Sequence, residues 1–346
     1  MSKNINVGNL ALGGGNKILL QSMCNIKTEK VDEVVKQILA LQQVGCDIIR
    51  VAIKDSLDAK AIPQIKSQIK IPLVADVHFD YRLAIESIEN GVDKVRINPG
   101  NIGSEDKVKL VADCIKAHNV AVRVGSNSGS VEKEFLQKYG KNEISLAESA
   151  LLRVSQLEKY GVEKIVISAK TSSVPLTVKT YRYLADKTNY PLHVGVTEAG
   201  TKEMGIVKSA IGIGGLLVDG IGDTIRVSLT ADPIEEIYAG KKILRACGID
   251  KNYAEIISCP TCGRTAYDMQ SLAELVYQKT INIAKPIKIA VMGCVVNGPG
   301  EAADCDIGIA GGKGSCVIFK KGKVYKTLPE QEAIEEFLKE INEIVN

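Results

Sequence analysis

Five of the nine cysteines, Cys259, Cys262, Cys294, Cys305 and Cys316, crowd into the last part of the chain. Cys259 and Cys262 lie in SCPTCGRT (258–265), a turn sequence with no apolar face. A Cys-x2-Cys on such a turn directs two thiolates at one metal centre. Cys294 leaves the end of an apolar run in VMGCVVNGPGE (291–301) and can supply a third. Thiolates at this spacing suit zinc or iron–sulfur chemistry, and the fourth ligand decides between them. Cys305 or Cys316 would complete an all-thiolate zinc ribbon, but they form no second Cys-x2-Cys, and Cys316 opens the apolar run CVIF. The other candidate is Glu301, seven residues after Cys294. Its carboxylate is a harder, more labile ligand that would leave one iron able to exchange it for substrate.

A second set of reactive groups sits in the first two thirds of the chain. Four apolar runs carry an arginine between branched residues: IRV at Arg50, VRI at Arg96, VRV at Arg123 and IRV at Arg226. Strand alternation places each arginine on the face opposite its neighbours. If the neighbours pack against helices, the guanidiniums converge on one interior, where Lys170 and His193 join them. Asp76 and Glu198 are the carboxylates at neighbouring strand ends, too few to neutralise the group. An uncompensated cluster of buried cations is costly, so an anionic ligand is the simpler explanation, and the guanidinium fork suits phosphoryl oxygens. Asn98, Ser126, Asn127, Ser168 and Ser228 offer neutral donors on the same rim. Glu198 follows a strand directly, above this positive cup, and is the candidate general acid or base; a counter-ion role toward Lys170 or Arg226 is its structural alternative.

The elements that must position these groups recur regularly. Short branched runs at Leu19–Met23, Asp47–Ile53, Leu73–Val77, Lys94–Asn98, Ala121–Gly125, Ile165–Ala169, Leu192–Val196 and Thr224–Leu229 predict eight strands, with room for a helix between each pair. Val31, Val34, Val35, Ile38 and Leu41 form a helical stripe after Thr28, an expected N-cap. Gly45, Gly91 and Gly161 each end a helix just before a strand. Strand–helix alternation calls for right-handed crossovers and a parallel sheet, and eight units match a (β/α)8 barrel. An open doubly wound sheet would place a glycine-rich turn after its first strand, whereas Gly13-Gly14-Gly15 precedes it. Residues 126–145 are expected to form an extended loop over the mouth. After the polar stretch beginning at Gly248, a smaller α/β unit follows, so the expected domains are 1–247 and 248–346.

Composition narrows the function classes. The net charge of +3 over 346 residues and the absence of tryptophan disfavour a nucleic-acid-coating protein. No apolar leader and no long apolar run are present, so a reduced, cytoplasmic protein that does not span a membrane is expected. Cys46, Cys114 and Cys247 lie in amphipathic or apolar stretches and read as core thiols.

The motifs LLQSM, ADVHFD, VRINPGN, VRVGSNSGS, HVGVTEAG, DTIRVSLT, ISCPTCGRT and VMGCVVNGPGEA followed by DIGIAGG resemble the 4-hydroxy-3-methylbut-2-enyl diphosphate synthase family along essentially the whole chain. Cys24, where threonine is expected after QSM, and Cys305 depart from the family pattern. The resemblance implies a TIM barrel with a sulfite/nitrite-reductase-like iron–sulfur domain, in the short bacterial form. It implies one [4Fe–4S] cluster per chain on Cys259, Cys262, Cys294 and Glu301. The implied substrate is 2-C-methyl-D-erythritol 2,4-cyclodiphosphate, gripped by Arg50, Arg96, Arg123, Lys170 and Arg226 with Asn98, Asn127, His193 and Ser228. Glu198 would donate the proton, ferredoxin or flavodoxin the electrons. A head-to-tail homodimer would share each active site between chains. The competing reading is a phosphate-ligand-binding barrel with a structural zinc domain and no redox activity.

Overall fold

The structure is a computed structural model and describes residues 1–345 except 128, 130, 296–299, 301 and 313; for Asn127 it describes the backbone. Glu301 therefore lies outside the described residues. The chain divides into two compact units, Met1–Cys247 and Gly248–Asn346.

In the first unit, β1 (Ile5–Val7) and β2 (Leu10–Leu12) pair antiparallel as a hairpin. Eight parallel strands follow: β3 (Leu19–Met23), β4 (Ile48–Ile53), β5 (Leu73–Val77), β6 (Lys94–Ile97), β7 (Ala121–Asn127), β8 (Ile165–Lys170), β9 (His193–Val194) and β10 (Thr224–Ile225). Their order is β8-β7-β6-β5-β4-β3-β10-β9, and a parallel bridge from Ile167 to Leu192 brings the two edges together, as a closed barrel requires. The connecting helices are α1 (Val31–Gln43), α2 (Ser56–Lys66), α3 (Tyr81–Glu89), α4 (Glu105–Ala117), α5 (Lys133–Tyr139), α6 (Glu143–Glu158), α7 (Val174–Lys187), α8 (Lys202–Val218) and α9 (Pro233–Ala246).

All eight sequence-predicted strands form, in order. The apolar residues flanking each arginine, such as Ile49 and Val51 or Val122 and Val124, are buried in the layer between strands and helices, which turns the intervening arginine inward. The hairpin does the opposite job at the base. Ile5, Val7 and Leu12 pack against Leu19, Ile48, Val74, Ala121 and Val166, residues near the strand starts, and form the barrel floor. Ser2 Oγ donates to Asp223 Oδ1 at 2.5 Å and the Lys3 N–H donates to the Asn189 carbonyl at 2.6 Å, tying the hairpin to the late strands.

Two local expectations are corrected. Residues 126–145 are not one extended loop: the amphipathic stretch KEFLQKY forms α5, and Asn142 opens α6 with a reciprocal capping box to Ser145. Thr28 does not cap α1, whose N-cap is Lys30; the Thr28 hydroxyl instead donates to the Ala52 carbonyl at 2.6 Å. A neighbouring strand carbonyl outcompetes the helix N-terminus for that hydroxyl.

The second unit is a five-stranded sheet in the order β11 (Ala254–Ser258), β12 (Ile287–Met292), β13 (Ile307–Gly311), β14 (Ser315–Lys320) and β15 (Lys323–Pro329). The first three strands run parallel and the last two antiparallel. Its helices are α10 (Met269–Thr280) and α11 (Glu330–Val345). One face of the sheet buries Ile289, Val291, Ile307 and Ile309 against Leu272, Val276, Phe337 and Ile341 of these helices. Among the described residues no helix is long and apolar enough to cross a membrane.

Candidate functional site

Two groups of reactive side chains stand out, one in each unit. In the barrel, Asp76 on β5 is buried and lies 3.1 Å from Arg96 Nη1 and 3.7 Å from Arg50 Nε. Burial alone would raise its carboxyl, but Arg50, Arg96 and Arg123 together outweigh that and hold it below the usual carboxylate range. Arg96 Nη1 also donates to His78 Nε2 at 3.0 Å. Arg50 donates to the Met23 thioether from Nε at 3.1 Å and from Nη2 at 2.8 Å. Arg226, just past β10, reaches Glu236 Oε1 at 3.4 Å.

Other members have fewer partners. Arg123 Nη1 donates to Ser168 Oγ at 3.3 Å, while its Nε and Nη2 are buried with no hydrogen bond to the described residues. Arg226 Nε is likewise unpaired. His193 is fully buried; its Nδ1 shares a hydrogen bond of 2.8 Å with Thr224 Oγ1 and its Nε2 has none. Burial and then the surrounding cations, Lys170 first, push the His193 imidazole far below its ordinary value, so it stays neutral. Burial, Arg123 and Arg226 act on the Lys170 ammonium in the same direction.

Among the described residues the interior holds the basic side chains Arg50, Lys94, Arg96, Arg123, Lys170 and Arg226 against the carboxylates Asp76 and Glu236. A buried donor left unpaired costs about 1–3 kcal/mol, more when charged. Unpaired donors beside surplus positive charge make the interior suited to an anion. Gly195 keeps part of it open: a Cβ there would lie 2.5 Å from the Arg226 carbonyl oxygen and 2.6 Å from Lys170 Nζ.

The remaining rim residues are more loosely placed. Asn98 is buried and its Oδ1 accepts the Gly100 N–H at 3.1 Å. Ser228 is partly buried after β10, and Asn127 ends β7, its side chain lying outside the described residues. Glu198 is exposed beyond β9 and has the left-handed backbone angle φ 51°. Non-glycine residues seldom adopt that angle except where surrounding structure imposes it. Glu198 is not the counter-ion of Arg226; Glu236 fills that role.

Sequence reasoning missed Glu236, Met23, Gln21 and Lys94. Glu236 sits in the first turn of α9, where its Oε1 also accepts the Leu229 N–H at 3.0 Å and its Oε2 the Ser22 hydroxyl at 3.2 Å. Nothing in PIEEI distinguishes it from a solvated helix carboxylate. Lys94 was within reach of the alternation rule, because it stands two residues before Arg96 on one strand.

The second group lies at the carboxyl ends of β11 and β12, whose pairing sets Ser258 opposite Val291. Cys259 and Cys294 therefore leave adjacent strands at one edge of the sheet. The Gly293 N–H donates to Cys259 Sγ at 3.2 Å. The turn carrying Cys262 is tied to the end of β12 by Ala266 N–H to the Gly293 carbonyl at 3.0 Å and Tyr267 hydroxyl to the Met292 carbonyl at 3.2 Å. A Cβ on Gly293 would come within 2.9 Å of Thr265 Oγ1, so glycine is required for that approach. Cys262 is exposed, and backbone and side-chain groups of Arg264 pull its thiol below the ordinary value.

Cys305 and Cys316 are buried, and burial pushes the Cys305 thiol up to about 11, which disfavours them as thiolate ligands. Cys24 is a buried barrel thiol, pushed up to about 12. Cys46 is buried as expected, whereas Cys114 and Cys247 are only partly so. Among the described residues no three His, Cys, Asp or Glu side chains lie close enough to hold a metal ion. The donor set nonetheless suits a thiolate-held group: three accessible thiols on turns at one sheet edge, with a backbone N–H on one sulfur.

Comparison with known proteins places the chain. A family model described as the GcpE TIM-barrel domain matches residues 2–241, and one described as the GcpE protein C-terminal domain matches residues 255–343. The protein named 4-hydroxy-3-methylbut-2-en-1-yl diphosphate synthase (flavodoxin) in Caldanaerobacter subterraneus subsp. tengcongensis is 57% identical, over 100% of this chain and 98% of its own length. Its namesake in Clostridium perfringens is 54% identical over 99% of each chain. Among solved structures, Yersinia pestis dihydropteroate synthase matches with a TM-score of 0.53 at 12% identity, over 71% of this chain and 98% of that one. The sialic acid synthetase of Leptospira borgpetersenii matches with 0.53 at 14%, over 81% and 97%. At these identities the likeness to the solved structures is one of fold alone. With both family models matched in order and full-length relatives above half identity, the chain belongs to the GcpE family.

Proposed function

We propose that this chain reductively opens 2-C-methyl-D-erythritol 2,4-cyclodiphosphate, giving (E)-4-hydroxy-3-methylbut-2-enyl diphosphate and water. The carrying observation is the surplus of buried cations in the barrel, with donors on Arg123 and Arg226 that lack acceptors. A small ligand with two phosphoryl groups supplies both the charge and the acceptors. The full-length relatives' printed name supports the same reaction and favours flavodoxin over ferredoxin as electron donor.

In this reading Arg50, Arg96, Arg123, Arg226 and Lys170 hold the diphosphate, with Asn98, Asn127, His193 and Ser228 as neutral partners. Asp76 and Glu236 keep Arg96, Arg50 and Arg226 in fixed orientations, so the cup is preorganised before substrate arrives. Neutral His193 offers one ring nitrogen to the ligand while Thr224 fixes the other. Glu198, at the rim, delivers a proton to the departing hydroxyl, which leaves as water. Cys259, Cys262 and Cys294 with Glu301 would hold one [4Fe–4S] cluster per chain, which supplies electrons singly. The reaction takes up two electrons and two protons, breaks a ring carbon–oxygen bond and the bond to the hydroxyl, forms a double bond between the two carbons that lose oxygen, and leaves water and a free terminal phosphate.

We also place the active site between two chains, the thiols of one serving the barrel of the other in a head-to-tail homodimer. The exposed row Met204, Val207, Ile211 and Val218 along α8 is the kind of surface that an association covers. Mixing a Cys259→Ser chain with an Arg123→Met chain then restores activity, and no recovery despite confirmed subunit exchange refutes sharing.

The reaction itself is tested on anaerobically purified protein. A brown protein with about four irons per chain that converts the cyclodiphosphate under reduced flavodoxin or dithionite is expected. A colourless, zinc-containing protein that stays inactive after anaerobic reconstitution overturns the proposal in favour of a phosphate-binding protein with a structural zinc.

A further inference from the structure

The barrel floor holds a titratable group that the proposed chemistry does not use. Lys94 is fully buried, and its Nζ donates to Gln21 Oε1, a neutral amide oxygen, at 3.3 Å. The ionisable groups of the interior, element by element, are Arg50 on β4, Asp76 on β5, Arg96 on β6, Arg123 on β7, Lys170 on β8, His193 on β9, Arg226 after β10 and Glu236 on α9. From β3 comes neutral Gln21, and the floor hairpin adds only the apolar Ile5, Val7 and Leu12. Asp76 pairs with Arg50 and Arg96, and Glu236 with Arg226. A positive charge on Lys94 would thus stand among cations with no carboxylate of its own. Burial first, then Arg123 and Arg50, push its ammonium down to about 7.

We propose that Lys94 is largely a neutral amine in the free protein above neutral pH and takes up a proton when the barrel binds a polyphosphate anion. The inference rests on the reading of the barrel as a cyclic diphosphate site. A bound anion reverses the local charge balance and favours the ammonium form, so binding and proton uptake are linked. Ring opening then creates a terminal phosphate with one more ionisable oxygen than the cyclic substrate has, and a charged Lys94 helps to balance it.

The sign is specific. Below the free-protein value Lys94 is already charged, so it adds no pH dependence to binding. Above it each binding event must capture a proton, and affinity falls as pH rises, up to tenfold per unit. The cyclodiphosphate is a suitable probe because its two phosphodiester groups do not titrate near neutrality, so any proton captured belongs to the protein.

The experiment is calorimetry of the full chain with the cyclodiphosphate, without reductant, at pH 8 in buffers of different ionisation enthalpy. With its ammonium pushed down to about 7, Lys94 is mostly uncharged at pH 8, so binding should take up a proton there, besides what Lys170 and His193 capture. Affinity should fall about tenfold between pH 8 and pH 9. Lys94→Met should take up about one proton fewer than the wild type and show a correspondingly shallower pH dependence, leaving only what Lys170 and His193 contribute. Gln21→Glu, which sets a carboxylate beside the amine, should show the same reduced uptake because Lys94 is then charged beforehand. It tests the proposal even if Lys94→Met does not fold. Uptake undiminished in either folded variant, or none in the wild type, overturns the proposal while leaving the anion site standing. Failure of the wild type to bind the cyclodiphosphate at any pH instead removes the reading of the site, and the inference with it.

Discussion

Asp76→Asn is the substitution that best separates the cup's stability from its purpose. The amide keeps the carboxylate's shape but removes the charge that Arg50 and Arg96 share at 3.7 and 3.1 Å. Removing one partner of a buried ion pair costs about 3–5 kcal/mol. Asp76 is 4% exposed but both arginines are 12% exposed, so solvent screening favours the low end, about 3 kcal/mol. In a barrel unit spanning Met1–Cys247 this corresponds to a fall in Tm of about 6–12 °C. Anion binding should change the opposite way, because the variant cup is more positive: the cyclodiphosphate should raise the variant's Tm by more than it raises the wild type's. The assay is thermal unfolding followed by circular dichroism, with and without ligand. Acid gives a second check. Because the native carboxyl lies below its unfolded value of about 3.9, its stabilisation is fully present above about pH 4 and disappears as pH falls through the native value. The gap between wild type and variant should therefore close in acid. An Asn variant as stable as wild type at pH 7, or one with a smaller ligand shift, would refute the reasoning.

Glu198→Gln should keep cyclodiphosphate affinity and iron content while turnover falls at least a hundredfold; wild-type turnover would end its role as proton donor. Glu198→Gly should lose turnover too yet raise thermal stability by up to about 1 kcal/mol, because glycine adopts the left-handed angle freely. Gly195→Ala should weaken cyclodiphosphate binding at least tenfold in calorimetry, since its methyl group would meet Lys170 Nζ and the Arg226 carbonyl; unchanged affinity would mean that the strand yields. Cys305→Ala should retain iron after anaerobic reconstitution and Cys262→Ser should lose it, because Cys305 is enclosed in the core and Cys262 stands on an exposed turn; the reverse pattern would favour another ligand set.

The barrel was legible because its signals are local and repeated. Branched runs recur at strand spacing and helix-ending glycines mark several of the joints, and Gly45, Gly91 and Gly161 all have positive φ. The inward arginines followed from alternation alone. Short hydrogen-bonded turns were harder: Thr28 obeys a strand carbonyl and not the helix beside it. Glu236 was invisible because its partners, Ser22, Arg226 and Leu229, meet only when the barrel closes, with Ser22 214 residues away. The floor hairpin escaped because three-residue strands carry too little pattern to register. For the thiols, the turn motif located the group, but ligand geometry depends on how the turns settle around an incoming group.

That hairpin also orders events during synthesis. Residues 5–12 emerge from the ribosome before the rest of the barrel, yet the floor they form includes Val166, and Ser2 is anchored to Asp223 across 221 positions of sequence. These apolar residues must therefore wait, uncovered, until nearly the whole barrel has been translated. Such long-range closure slows folding and leaves a sticky nascent segment in the meantime. Chaperone demand during translation should consequently drop when the first twelve residues are moved, by circular permutation, to follow the last barrel helix.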